Sequence, residues 1–209
     1  MSIAVTGNAR PTGGRALRRL PAGVSLVDLT LAMGVIAITA ALSAPVVASS
    51  IDSGRARQAA QFLSAQCRGA RMEAVAKSAA SAVVFDLVNG RWRLQRCLDG
   101  NGNGVRRTDI KGGRDLCSGT AVDLGDLFAG VAIAVDAALP DPDGGPGSAD
   151  PVRLGTSNLM SFAPAGTATA GTVYLRSAGG AQYAVRVAGV TGRVRILHYD
   201  TSRRQWVEA

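Results

Sequence analysis

The sequence predicts an α+β fold, with one long N-terminal helix packed on a C-terminal domain of antiparallel strands. Three observations predict it. Residues 24–80 hold a single proline, Pro45, and pass from an apolar run straight into a stretch rich in Ala, Arg, Gln and Glu. From Ala82 onward the spacing of apolar residues shortens from three or four to two. Asn89-Gly90 then sits between two alternating segments, the strongest short signal for a hairpin. One helix followed by many strands, instead of strands alternating with helices, defines α+β.

Composition bounds the rest. The 209 residues suffice for one ordinary domain plus an extra element, and 47% are apolar, yet aromatics make up only 4% and glycines number 26. A core of small residues with many turns follows. Net charge is +8, but Arg10, Arg15, Arg18 and Arg19 contribute four of those charges within residues 1–23, which contain no acid. The basicity is therefore concentrated at the N-terminus and does not by itself point to nucleic acid.

The first element begins at that basic segment. Residues 24–48 carry one charge, Asp28, over a length sufficient for a helix to span a bilayer. The next basic residue is Arg55, so the arginine asymmetry keeps the N-terminus cytoplasmic and the C-terminal part outside. A plain anchor explains the length and the arginines but not Asp28. A secretory signal offers cleavage after Leu42-Ser43-Ala44 or Val46-Val47-Ala48, with an apolar region too long for the role. Arg18-Arg19 is a twin-arginine pair in surroundings that do not fit that signal.

The helix continues through residues 49–80. Ala59, Phe62, Leu63, Cys67, Ala70, Ala74 and Val75 recur at three- and four-residue steps and predict one stripe toward a core. Strands are expected at Ala82–Leu87, Arg91–Cys97, Val131–Val135, Leu159–Phe162, Thr172–Arg176, Tyr183–Val187 and Arg193–Tyr199, and residues 140–151 (PDPDGGPGSADP) at a surface loop.

The N-terminal segment resembles the type IV prepilin signature, in which a basic leader ends in Gly and is followed by an apolar helix with an acid at its fifth position. Gly23 would end the leader, Val24 would become the N-methylated N-terminus, Asp28 is the fifth mature residue, and Pro45 falls where pilins commonly bend. The family usually has Phe where this chain has Val24, and Glu where it has Asp28. The resemblance gives Asp28 a purpose. In a filament each subunit brings a charged N-terminal amine into an apolar helix bundle, and a carboxylate on a neighbouring helix neutralises it. Either charge left unpaired there costs several kcal/mol, so the pair sets the register.

Residues 70–75 (ARMEAV), Phe162-Ala163-Pro164-Ala165-Gly166 and Gly192-Arg193-Val194-Arg195-Ile196 resemble the GspH/FimT family of minor pilins and pseudopilins. That resemblance implies a type IV pilin-like fold divided into a cleaved leader (1–23), a spine helix (24–80, membrane-spanning to about 48) and a periplasmic β-rich domain (81–209). It implies a single-pass inner-membrane subunit, processed by prepilin peptidase, whose partners are lipid and other pilins in a type II secretion pseudopilus or type IV pilus.

No enzyme is expected: there is one His, no GxSxG, no phosphate loop and no acid pair placed for catalysis. Two further sites are candidates. Asp99, Asn101 and Asn103, each followed by Gly, match the front half of a calcium loop, with Asp109 one residue short of the bidentate position and Arg106 and Arg107 opposing a cation. The competing reading is a turn-rich excursion closed by a Cys97–Cys117 disulfide, leaving Cys67 as a buried small residue. At the C-terminus, Arg193, Arg195, Arg203 and Arg204, with Trp206 as a stacking surface, form a candidate DNA-phosphate patch, and FimT-like pilins of DNA-uptake pili carry a similar GRxR element. The alternative there is a solvated strand face, because residues 192–209 carry only +2. A secreted periplasmic binding domain is the remaining class.

Overall fold

The computed structural model describes residues 25–209. Helix α1 runs from Leu26 to Lys77, 52 residues without interruption. Ser and Thr weaken helices when their hydroxyls compete for the backbone, and here they bond back within the helix instead. Thr39 Oγ1 donates to the Val35 carbonyl (3.0 Å) and Ser43 Oγ to that of Thr39 (3.0 Å), so this apolar stretch exposes no unsatisfied hydroxyl.

The chain divides into two compact units, residues up to Ser43 and Ala44–Ala209. The described part of the first is helix alone, and its large apolar side chains stand open: Leu26 is 78% exposed and Leu42 72%. It belongs to the one helix among the described residues that is long and apolar enough to cross a membrane.

In the second unit the same helix buries a stripe of small residues. Ala56, Ala60, Leu63, Cys67, Ala70 and Ala74 are fully buried at alternating steps of four and three. All but Ala56 join the core with Val83, Phe85, Met160, Phe162, Leu175 and Val185, while Ala56 packs with Ala59 and Val131. The expected stripe needs one correction: Val75 is 57% exposed, because a residue directly after Ala74 is turned about 100° away from the buried line. Phe62 is half-buried and meets Phe128 with ring centroids 5.9 Å apart.

Two antiparallel sheets complete the unit. The first has β1 (Ser81–Val88), β2 (Arg91–Leu98), β3 (Leu116–Asp123) and β6 (Leu159–Phe162) in the order β3-β2-β1-β6. The β1–β2 hairpin turns on Asn89-Gly90, both at positive φ (52° and 75°), the geometry that matches strand twist. The second sheet orders β10 (Gln205–Glu208), β9 (Val194–Asp200), β8 (Gln182–Val187), β7 (Gly171–Ser177) and β4 (Val131–Ala132), with β5 (Val152–Arg153) also on β7. β1 is buried on both faces. Val83 and Phe85 join the main core, whereas Ala82 and Val84 join a smaller cluster with Cys97, Val105 and Leu159. The fold is α+β, as its period change predicts.

The strand forecasts need correction in places. The expected Val131–Val135 strand is only Val131–Ala132, and β3, β5, β10 and two short helices, α2 (Arg107–Lys111) and α3 (Leu124–Leu127), lie where none is expected. An acid on α1 ties the helix to the second sheet. Asp52 Oδ2 accepts from the Ser177 hydroxyl and from the Gly179 N–H (3.1 Å) at the β7–β8 turn. A Cβ at Gly179 would lie 2.5 Å from that oxygen, so a larger residue there would displace the Asp52 carboxylate.

Candidate functional site

Gly23 and Val24 lie outside the described residues, as does the side chain of Pro45; the backbone of α1 is helical through position 45. Asp28 sits in the first turn of α1, where the positive end of the helix dipole favours an anion. Its turn is started by Ser25, whose hydroxyl accepts the Val27 N–H (3.3 Å). Among the described residues Asp28 has no ion-pair partner and its side chain is exposed. One helix turn on, Val27, Thr30, Leu31, Gly34, Val35 and Ile38 line a shallow, largely apolar hollow. A Cβ at Gly34 would meet nothing within 4 Å, so the hollow is open to a neighbouring helix or to lipid.

The excursion between β2 and β3 is closed at its base by a disulfide between Cys97 and Cys117, which face each other directly across the two strands. Inside it, Asp99, Asp109 and Asp115 are buried. Asp99 Oδ1 accepts from the backbone N–H groups of Asn101 (3.0 Å) and Gly102 (2.8 Å), and Oδ2 from that of Gly104 (2.7 Å). Burial pushes this carboxyl up, but those N–H groups together outweigh it and hold it below the usual carboxylate range. Asn103 Nδ2 donates to Asp109 Oδ2 (3.1 Å), and Arg114 pairs with Asp109 Oδ1 (3.2 Å). The Asn103 bond comes first among the influences that lower the Asp109 pKa. Asp115 accepts from the backbone of Gly100 and of Arg106. The loop's acids thus face its own amides. Among the described residues no three His, Cys, Asp or Glu groups converge as metal ligands. Arg107 does not oppose a cation there; it reaches Asp86 and the carbonyls of Phe85 and Ser157, pinning α2 to the first sheet. Cys67, buried beside Met160, has its thiol pushed up to about 12 by burial, which makes it unreactive.

At the C-terminus Arg193 and Arg195 both turn toward Glu208. Arg195 makes a two-point pair with it (2.6 and 3.3 Å), and Arg193 Nη2 lies 3.9 Å away. The Arg195 bond holds the Glu208 carboxyl below its ordinary range. Arg203 pairs loosely with Asp200 (3.6 Å), and Arg204 stands exposed at positive φ. The structure corrects the role expected of Trp206. Its Nε1–H donates to the Pro140 carbonyl (2.8 Å) and its ring packs edge-on against Tyr199, so it is not a free stacking surface.

The three segments carrying the GspH/FimT resemblance meet in space. Gly192 adopts φ +59°, and a Cβ there would lie 2.8 Å from the Gly166 carbonyl oxygen and 3.3 Å from Arg71 Nε. Only glycine allows that approach. Residues that the sequence did not single out include Asp52, Glu208 and the pairs Arg153–Asp141 and Arg186–Asp143. An acid-bearing loop followed by strands that each hold an arginine (Arg153, Arg176, Arg186 and Arg195) was the available signal.

The chain matches no protein-family model, curated protein or solved structure with which it was compared. Its element order, a long N-terminal helix followed by antiparallel sheets, is compatible with a pilin-like architecture.

Proposed function

We propose that the chain is a minor pilin or pseudopilin of the GspH/FimT kind, a non-catalytic subunit that assembles into a type II secretion pseudopilus or type IV pilus. On this reading prepilin peptidase cuts after Gly23 and methylates Val24. The mature helix sits in the inner membrane with the domain on the periplasmic side. During assembly Asp28 meets the freed amine of the next subunit.

What supports it most is one carboxylate in the first turn of α1 followed by an apolar half-helix, Leu26 to Ser43, whose large side chains are exposed among the described residues. A buried carboxylate without a cation costs several kcal/mol. Lipid or neighbouring helices cover the apolar side chains, and a neighbour's amine supplies the cation.

The test is an intact-mass measurement on the membrane fraction, joined to a filament assay. A chain beginning at methylated Val24 is expected, and Asp28→Ala is expected to be processed normally yet fail to enter filaments, with Asp28→Glu restoring entry. A start after Ala44 or Ala48, or normal incorporation of Asp28→Ala, overturns the reading.

A further inference from the structure

The outer face of the second sheet carries an unusual row. Register places Arg153 opposite Thr172, Thr172 opposite Arg186, and Arg186 opposite Arg195, so three arginines stand on one face across four strands. Like charges directly opposite destabilise a sheet. Each arginine is matched by an acid from elsewhere: Glu208 for Arg195, and Asp141 and Asp143 of the β4–β5 loop for Arg153 and Arg186.

The loop is held almost wholly by such polar ties. Asp141 also accepts from the Tyr174 hydroxyl (3.2 Å), and the Pro140 carbonyl accepts from Trp206. Its sequence, PDPDGGPGSADP, supplies no large apolar side chain to anchor it. Beside the ion pairs, a cleft of about 370 Å³ opens between Arg153, Arg186 and the strands beneath. On the same face Gln182, only 6% exposed, leaves both its amide oxygen and nitrogen without partners. A buried side-chain amide rarely stays unpaired. It offers one donor group and one acceptor, the complement of a peptide group, whereas a phosphate only accepts.

We infer that this face is a docking surface for an acidic polypeptide segment, and that residues 140–151 occupy it as an internal pseudo-ligand which a partner's acidic segment displaces. Arg153 and Arg186 take the incoming carboxylates in place of Asp141 and Asp143. Gln182 takes the backbone. The inference stands on residues separate from those of the assembly reading, so either can fail alone.

The experiment uses the full chain in detergent and a fluorescein-labelled peptide of sequence PDPDGGPGSADP, read by anisotropy. A loop docked nine-tenths of the time lowers apparent affinity for a competitor about tenfold. Asp141→Asn with Asp143→Asn is therefore expected to bind the peptide about tenfold more tightly than the parent. Adding Arg153→Gln and Arg186→Gln is expected to abolish the gain, and a peptide with Asn in place of Asp to bind neither chain. Should the double variant be unstable, Asp143→Asn alone and Trp206→Phe decide the matter, each with an expected gain of a few-fold. Equal peptide binding by the parent and the loop variants overturns the proposal. So does equal binding of the Asn peptide, or a larger gain for duplex DNA than for the acidic peptide.

Discussion

Removing the Cys97–Cys117 disulfide is the sharpest single perturbation of the second unit. The bond closes a loop of 20 residues. In the chain-entropy treatment, freeing a loop of that length relaxes the unfolded ensemble by about 3 kcal/mol. The native side adds little. The two cysteines sit opposite each other in the β2–β3 ladder, and the smaller cluster around Ala82, Val84 and Leu159 tolerates alanine at position 97 with the loss of one sulfur. Cys97→Ala with Cys117→Ala is therefore expected to lower stability by about 3 kcal/mol, which for a unit of this size is about 6–12 °C in Tm. The assay is thermal and urea unfolding, with the parent reduced by a phosphine as an independent control. Amide exchange is expected to rise first in residues 99–115, whose buried acids depend on closely placed backbone N–H groups, and to stay slow in β7–β9. A loss below about 1 kcal/mol, or a uniform rise in exchange, would refute the argument that the bond acts by closing this loop.

Asp52→Ala is expected to cost about 2 kcal/mol, the usual worth of hydrogen bonds to a charged acceptor, with Asp52→Asn recovering part of it; urea unfolding measures both. Acid should destabilise the domain in a defined window. Asp99, Asp109, Asp200 and Glu208 titrate lower folded than unfolded, so their contribution is complete above about pH 5 and is lost as pH falls through the folded values. Tm is then flat from pH 5 to 7 and drops below pH 4; a drop beginning at pH 6 contradicts this. Because both oxygens of Asp99 already accept backbone N–H groups, chelator is expected to leave Tm unmoved, and a calcium-dependent rise of several degrees would contradict that.

The elements read correctly from sequence are those in which the local signal and the burial agree. β1 and β2 alternate and flank a dipeptide that favours positive φ, and α1 has an unbroken small-residue stripe. β3 (LCSGTAVD) escaped because it is a mostly exposed edge strand with Gly119 at positive φ, so burial imposed no alternation on it. β5 and β10 are too short to carry a period. At the C-terminus the arginines were legible, but their charge state was not. Glu208 lies 13 residues beyond Arg195 in sequence and neutralises it only because β10 folds back beside β9. Asp141 and Asp143 likewise look like solvated loop acids until the loop is seen lying against a sheet face.

The two ends of α1 obey opposite rules. Past residue 55 the buried positions are mostly alanines, which let a helix approach the sheets closely and leave large polar side chains outside. Before residue 43 the pattern reverses: Leu26, Val27, Leu29, Leu31, Met33, Val35, Ile36, Ile38 and Leu42 are each more than half exposed. Leaving such a side chain in water instead of burying it forgoes roughly 1.5–3 kcal/mol, and even half of that over these residues totals on the order of 10 kcal/mol. That equals the whole stability of an ordinary domain, about 5–15 kcal/mol. The helix is long and apolar enough to cross a membrane, and Asp28 is the one charged residue between Leu26 and Ser43. On the assembly reading proposed above, the amine of a neighbouring subunit is the cation that offsets the cost of that carboxylate, so the acid and the exposed apolar helix share one partner.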